Sequence, residues 1–420
     1  MSSNKKTALM ATVILGIFFF IFGFVTWLNS TLIPYLKIAC ELTTFQSQLV
    51  AFAFYISYFV MALPSSIILE KTGFKKGMML GLLVMAVGAF LFIPAAQTRT
   101  YYLFLAGLFV IGTGLSLLQT ASNPYITIAG PIESAARRIS IMGICNKVAG
   151  VLAPVIMGAV ILADAGTLEN DLKTLDDAAR IMRLNELAGR VILPYTIMGV
   201  SLIVLALLVY FSPLPNIEQQ EESVDENAST GKSSVLQFPN LTFGVIALFL
   251  YVGVEVMAGD TISTFGQSQG ISLDDAKNFG AYTLSAMVIG YILGILLIPK
   301  FISQSKALAT SAVVGVLFSL AAVFSCGYTA VLFIALLGLA NALMWPAIWP
   351  LAIDGLGKFT KTGSALLIMA IAGGAILPLI WGKLADLPTV GHQQAYLIMV
   401  PCYLFILWYS INVKSLTKVK

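Results

Sequence analysis

Three charged side chains stand inside long apolar stretches of this sequence: Lys147, Glu255 and Asp260. A charge in hydrocarbon costs at least about 2.5–3.5 kcal/mol on insertion scales, so each needs a reason. Eighteen of the twenty acids fall in loops or at helix ends, leaving Glu255 and Asp260, both in the seventh apolar segment. Glu255 is the deeper, and Asp260 is expected near the outer mouth. Lys147 is the one basic residue well inside a segment, the fifth. Such groups can bind a solute or an ion and change partners during a cycle. They can equally form a fixed salt bridge, and no pairing is readable from spacing alone.

Neutral polar residues form a second layer. Gln119 and Asn123 are four apart in the fourth segment, so a helix puts them on one face. Asn341 and Trp345 repeat that spacing in the tenth, with Trp349 one step further. Trp27, Asn29 and Ser30 lie deep in the first segment, ahead of Pro34, and Asn146 precedes Lys147 in the fifth. An amide both donates and accepts, as does each hydroxyl of a sugar. An aromatic face covers the apolar C–H side of a pyranose. Amides with tryptophans in a membrane cavity therefore suit a neutral polyol better than an ion or a lipid. The bland alternative is that the amides bridge helices and the tryptophans pack or anchor.

These residues must be held by membrane helices. The 420-residue chain is 58% hydrophobic and 10% charged, against about 25% charged in soluble domains, and its mean hydropathy is +0.91. Lipid must be the solvent for much of its surface. Twelve stretches reach the roughly 20 residues needed to cross hydrocarbon. They run at about 9–36, 46–69, 77–96, 101–126, 139–162, 191–212, 241–266, 277–299, 307–325, 328–353, 362–384 and 395–413. The first is too long for a signal-peptide core and reads as a retained helix. Fifteen lysines and arginines fall on the side of the N-terminus and eight on the other, four of them in the 163–190 loop. Both termini are therefore expected in the cytoplasm.

The expected class is an all-α membrane protein with twelve transmembrane helices in two pseudo-symmetric halves. Residues 1–212 form the N-terminal half, 213–240 a polar cytoplasmic linker, and 241–420 the C-terminal half. Gly150, Pro154 and Gly158 spell G-x-x-x-P-x-x-x-G, and Gly374, Pro378 and Gly382 repeat it 224 residues on. A matched motif in the equivalent helix of each half points to duplication. Two halves about an axis along the membrane normal suit a rocking carrier with its site between them. Prolines 34, 124, 346 and 350 stand where bent helices can expose carbonyls.

Other classes fit poorly. A net charge of +4 is too small to imply nucleic acid, and no nucleophile–base pair or phosphate-binding loop points to an enzyme or an ATP-driven pump. The four cysteines are scattered, and one histidine, His392, cannot build a zinc site. No metal or cofactor is expected beyond a coupling cation, and the working unit is expected to be a monomer. An exporter of amphipathic compounds remains a rival, as does a non-transporting sensor, although the polar stretches are too short for a sensor domain.

The segments L-N-S-T-L-I-P (28–34), L-Q-T-A-S-N-P-Y-I-T (118–127), Y-V-G-V-E-V (251–256) and W-P-A-I-W-P-L-A-I (345–353) resemble the fucose permease-like branch of the major facilitator superfamily. The resemblance covers nearly the whole chain except the 163–190 loop and the linker. It implies the major facilitator fold, a bacterial inner (plasma) membrane and symport of a monosaccharide with a cation. Glu255 and Gln119 lean towards its glucose/galactose subgroup; fucose and N-acetylglucosamine are the alternatives. Trp27, Asn29, Gln119, Asn123, Asn146, Asn341 and Trp345 are the expected sugar-binding residues, and Glu255, Asp260, Lys147 and Ser30 the expected coupling-ion residues. Two departures stand out. Ser30 occupies the place of an aspartate that the family uses in proton coupling, and Lys147 stands where relatives have a small polar residue. Proton symport, sodium symport and an uncoupled uniporter therefore all stay open. The loop Glu70–Lys76 is a degenerate form of the superfamily's basic gating loop.

Overall fold

Residues 3–128, 135–212, 234–298, 301–356 and 359–417 are described by the structure, a computed structural model. Most of the expected linker lies outside them. Twelve helices are long and apolar enough to cross a membrane. They are α1 (Val13–Ala39), α2 (Thr44–Leu69), α3 (Lys71–Gln97), α4 (Tyr101–Ser122), α5 (Met142–Ile161), α6 (Asp177–Phe211), α7 (Pro239–Asp260), α8 (Leu273–Leu297), α9 (Gln304–Phe324), α10 (Gly327–Ile353), α11 (Thr362–Ala385) and α12 (Gly391–Thr417). Gly73, at φ 74°, breaks the helical path near the junction of α2 and α3, a backbone setting open to glycine at little steric cost. Alternation returns the C-terminus to the face of the N-terminus; the opposite face is called distal below.

Burial sorts the helices. About 67% of the apolar window of α7 is buried, and 61% in α10 and α11, against 28% in α6. On α6, Leu193, Ile197, Val200, Val204 and Leu208 are exposed at helical spacing, which makes an outward apolar stripe for lipid. Glu255, Asp260 and Asn341 sit on α7 and α10, so the fold hands them to the interior.

The repeated motif does the same job twice. A Cβ on Gly150 would stand 2.6 Å from Trp27 Cδ1 of α1 and 3.2 Å from Leu284 Cδ1 of α8. A Cβ on Gly374 would stand 2.9 Å from Val256 Cγ2 of α7 and 3.1 Å from Tyr55 Cγ of α2. Each glycine thus lets its helix close onto a neighbour in its own half and one in the other half. Gly23 meets the carbonyl of Asn146, and Gly373 meets that of Phe249, in matching α1–α5 and α7–α11 crossings.

Helix breaks fall beside the polar groups. The first span is two helices, Ser3–Trp27 and Asn29–Ala39, where the sequence suggested one rod. Pro34 has no N–H to return to the carbonyl of Ser30, which loosens the ladder there. In α10, helix Gly327–Asn341 gives way to Met344–Ile353 just before Pro346. The 163–190 loop also differs from expectation: it folds into helices Ala165–Thr174 and Asp177–Gly189. The Asp176 side chain accepts from the Ala179 N–H and caps the second.

Candidate translocation site

Lys147 and Glu255 meet at the interface between the halves. Lys147 Nζ donates to Glu255 Oε1 at 2.8 Å, and each residue is 7% exposed. The ammonium also lies 4.6 Å from the Trp27 ring centroid, in cation–π range. Three candidates from three helices are thereby joined. The Trp27 ring packs between Gly150, at its pyrrole end, and Gly259, at its benzo end. Tyr55 and Tyr291 lie near enough to Glu255 to feel its charge.

Asp260 is fully buried, and neither carboxyl oxygen has a hydrogen-bond partner. Asp260 closes the distal end of α7, and protein encloses it where an interfacial carboxylate was expected. Ser30 is also fully buried and donates back to the Trp27 carbonyl at 2.8 Å, across the break in α1.

The amides divide into two groups. Gln119 donates to the Tyr58 hydroxyl at 3.0 Å, and Asn146 to the Phe19 carbonyl at 3.3 Å, each bridging helices of one half. Asn341 accepts from Tyr403 at 2.9 Å but leaves its Nδ2 without a partner, and both amide atoms of Asn29 are unpartnered. Buried amides without partners are costly, so they mark places where a polar ligand relieves the deficit. The side chain of Asn123 lies outside the described residues, so its shared face with Gln119 stays an expectation. The break after Asn341 loosens the helical spacing that set Trp345 beside it. Trp345 instead stacks on Trp349, centroids 5.4 Å apart, and lies 6.4 Å from the Tyr251 ring.

Sequence reasoning overlooked Gln48 and Tyr55 of α2. Gln48 is buried with both amide atoms unpaired, and the Tyr55 hydroxyl is unpaired too. Their signal was available: both are polar-tipped residues within a span.

The distal face is closed by contacts across the halves. Asp386, at the end of α11, accepts from the Thr44 N–H at 3.1 Å and the Phe45 N–H at 2.7 Å. It thereby satisfies free donors at the N-terminus of α2, where a negative charge also suits the helix dipole. His392 lies 3.2 Å from Thr44 Oγ1, and Lys277 donates to the Leu162 carbonyl. Among the described residues, the hydrogen bonds joining the halves lie at this face or at mid-depth. A cavity of about 450 Å³ opens on the distal side, lined in part by Lys37, Glu41, Arg180, Thr264 and His392. Trp27, Glu255 and Asn341 do not line it, so the polar core is sealed from this side.

Two related six-helix halves, broken at a buried polar interface and latched at one face, define a membrane carrier. The chain belongs to the Major Facilitator Superfamily, whose family model matches residues 15–378. It is 36% identical over 413 residues to the glucose/galactose transporter of Brucella abortus (strain 9-941), covering 98% of this chain and 95% of that one. It is 29% identical over 390 residues to the L-fucose-proton symporter of Escherichia coli K12, covering 92% and 89%. Among solved structures, FucP in the outward conformation matches at TM-score 0.74 and 28% identity, over 97% of this chain and 99% of that one. The chain is accordingly a membrane transporter and not an enzyme, as the motif resemblance implied.

Proposed function

We propose that this chain imports a monosaccharide, glucose or galactose foremost, by cation symport with alternating access. It works as a monomer in a bacterial inner membrane with both termini cytoplasmic. The observation that carries this reading is the ion pair across the interface of the halves, with Trp27 against its ammonium, together with the buried amides of the spans that lack partners. Asn29, Asn341 Nδ2 and Gln48 hold unused donors and acceptors that the hydroxyls of a sugar can satisfy. Tyr251, Trp345 and Trp349 offer aromatic surface for the C–H face of a pyranose. The names of the glucose/galactose and fucose relatives support the same substrate class.

Rocking needs bonds that can be made and broken. Asp386 with the start of α2 forms the distal latch, and Lys147 with Glu255 forms a mid-depth link that sugar or ion can disturb. A second reading, an uncoupled uniporter, is favoured by that same pair, because Lys147 already neutralises Glu255 without an imported cation.

Uptake of a panel of labelled hexoses into proteoliposomes, with sodium, pH and voltage varied separately, tests both. Gradient-driven accumulation of glucose or galactose supports symport. Equilibration without accumulation supports the uniporter, and no monosaccharide uptake removes the sugar assignment.

A further inference from the structure

The ion pair leaves one charge over. Among the described charged residues buried within the spans, Lys147 balances Glu255, and Asp260 has no counterpart. Asp260 lies five residues beyond Glu255 on α7, about 7–8 Å along the axis. An ionised carboxylate there would be fully enclosed with no protein donor, which is strongly unfavourable, so a neutral, protonated carboxyl is the form this conformation accommodates.

The surroundings give that proton a route. The helical bonds Thr261 N to Met257 O and Phe265 N to Thr261 O carry the α7 path past the break at Thr261. Thr264, one turn beyond Asp260 on the same face, lines the distal cavity. One turn of helix and the Asp386 latch therefore separate Asp260 from the distal solvent. On the other side stand Glu255 of α7 and Tyr55 of α2, which lies close to both carboxyl groups. From α1, Ser30 reaches the same crossing: its side chain and the Gly259 carbonyl both border Gly280 of α8. The Ser30 hydroxyl is already spent on Trp27. Lys147 is held on Glu255.

We propose that Asp260 is the proton-carrying group and that the coupling ion is H⁺, one per cycle; the proposal rests on the sugar-symport reading above. With the distal latch open, an Asp260 carboxylate oxygen takes a proton from water. The neutral carboxyl crosses the closed-distal state shown here and releases the proton to water on the other side. Neutrality lets the site close over Asp260 without stranding a charge, which ties closure to loading.

The test uses the full chain in sodium-free proteoliposomes with the voltage clamped at zero. A one-unit inward pH gradient should give the wild type about tenfold sugar accumulation at one proton per sugar. Asp260→Asn, which imitates the protonated form, should lose accumulation while exchange of labelled for unlabelled sugar continues at a reduced rate. Asp260→Glu should keep accumulation. Infrared difference spectra of the lipid-reconstituted protein should show a carboxyl band that titrates in the wild type and is missing in Asp260→Asn. If the asparagine variant does not assemble, Asp260→Ser takes its place. Accumulation by Asp260→Asn at the wild-type level, an unchanged titrating band, or wild-type accumulation that follows sodium at fixed pH overturns the proposal. Absence of sugar exchange in the wild type overturns the sugar reading instead, and the infrared band still decides whether Asp260 takes up the proton.

Discussion

Lys147 of the N-terminal half and Glu255 of the C-terminal half are 108 residues apart in sequence and 2.8 Å apart in space. They form a buried ion pair across the surface on which the halves must move. Coulomb attraction in a low-dielectric interior offsets the desolvation of the two ions only while both are present.

Removing one partner strands the other. Lys147→Met or Glu255→Gln should each cost about 3–5 kcal/mol of stability and abolish uptake. The double variant should recover most of the stability, because no charge is left buried, but not transport. Thermal unfolding in detergent beside sugar uptake separates the two effects; a double variant no more stable than the singles would show that the pair does not act as a unit.

The Asp386 latch should set how often the distal face opens. Asp386→Ala removes a helix cap, worth about 1 kcal/mol or a roughly fivefold shift towards the open state. The readout is a cysteine at Gln48, which the latch now seals. Its labelling by a membrane-impermeant maleimide should speed up by that factor in Asp386→Ala, and an unchanged rate would remove Asp386 from the gate.

Thiol labelling also tests orientation. Cys326 is exposed in the distal turn between α9 and α10. It should react with impermeant maleimide added outside intact cells if both termini are cytoplasmic. Cys40, just past α1, should stay unlabelled: burial pushes its thiol up to about 11, against the pull of Arg99. That leaves roughly one thousandth as thiolate at pH 8. Labelling only in inverted vesicles would reverse the topology.

The distal helices Ala165–Thr174 and Asp177–Gly189 should loosen only in strong acid. Asp164 accepts from Arg190 and Arg183, and these contacts, the Arg190 hydrogen bond foremost, lower its carboxyl to about 2 from an ordinary 3.8. A depressed carboxyl contributes stability that is complete above its unfolded value and lost as pH falls through the folded one. Protease cutting within 165–189 should therefore stay constant down to about pH 4 and rise towards pH 2. In Asp164→Asn it should be raised at every pH.

Much of the scaffold was legible because hydropathy is a local property. Twelve apolar runs, and the glycine–proline motif at 150–158 and 374–382, are visible residue by residue, since lipid demands a spanning helix wherever such a run occurs. The helices at 165–189 were missed because they are short and mostly polar, so the hydropathy that reveals a span passes over them. The enclosure of Asp260 at the distal end of α7 was not legible, because burial there depends on neighbouring helices. Gln48 and Tyr55 lacked the charge that drew attention to Glu255, although both share its unmet polar character.

The sequence by itself determined that this chain lives in lipid, that it is built twice over, and which few side chains are too costly there to be idle. Only the tertiary structure decided that Lys147 belongs to Glu255, that Asp260 is left without a partner, and that Asp386 ties the distal face shut. The reason is physical: the cost of a polar group in hydrocarbon follows from its own chemistry, whereas its relief depends on groups brought from distant parts of the chain.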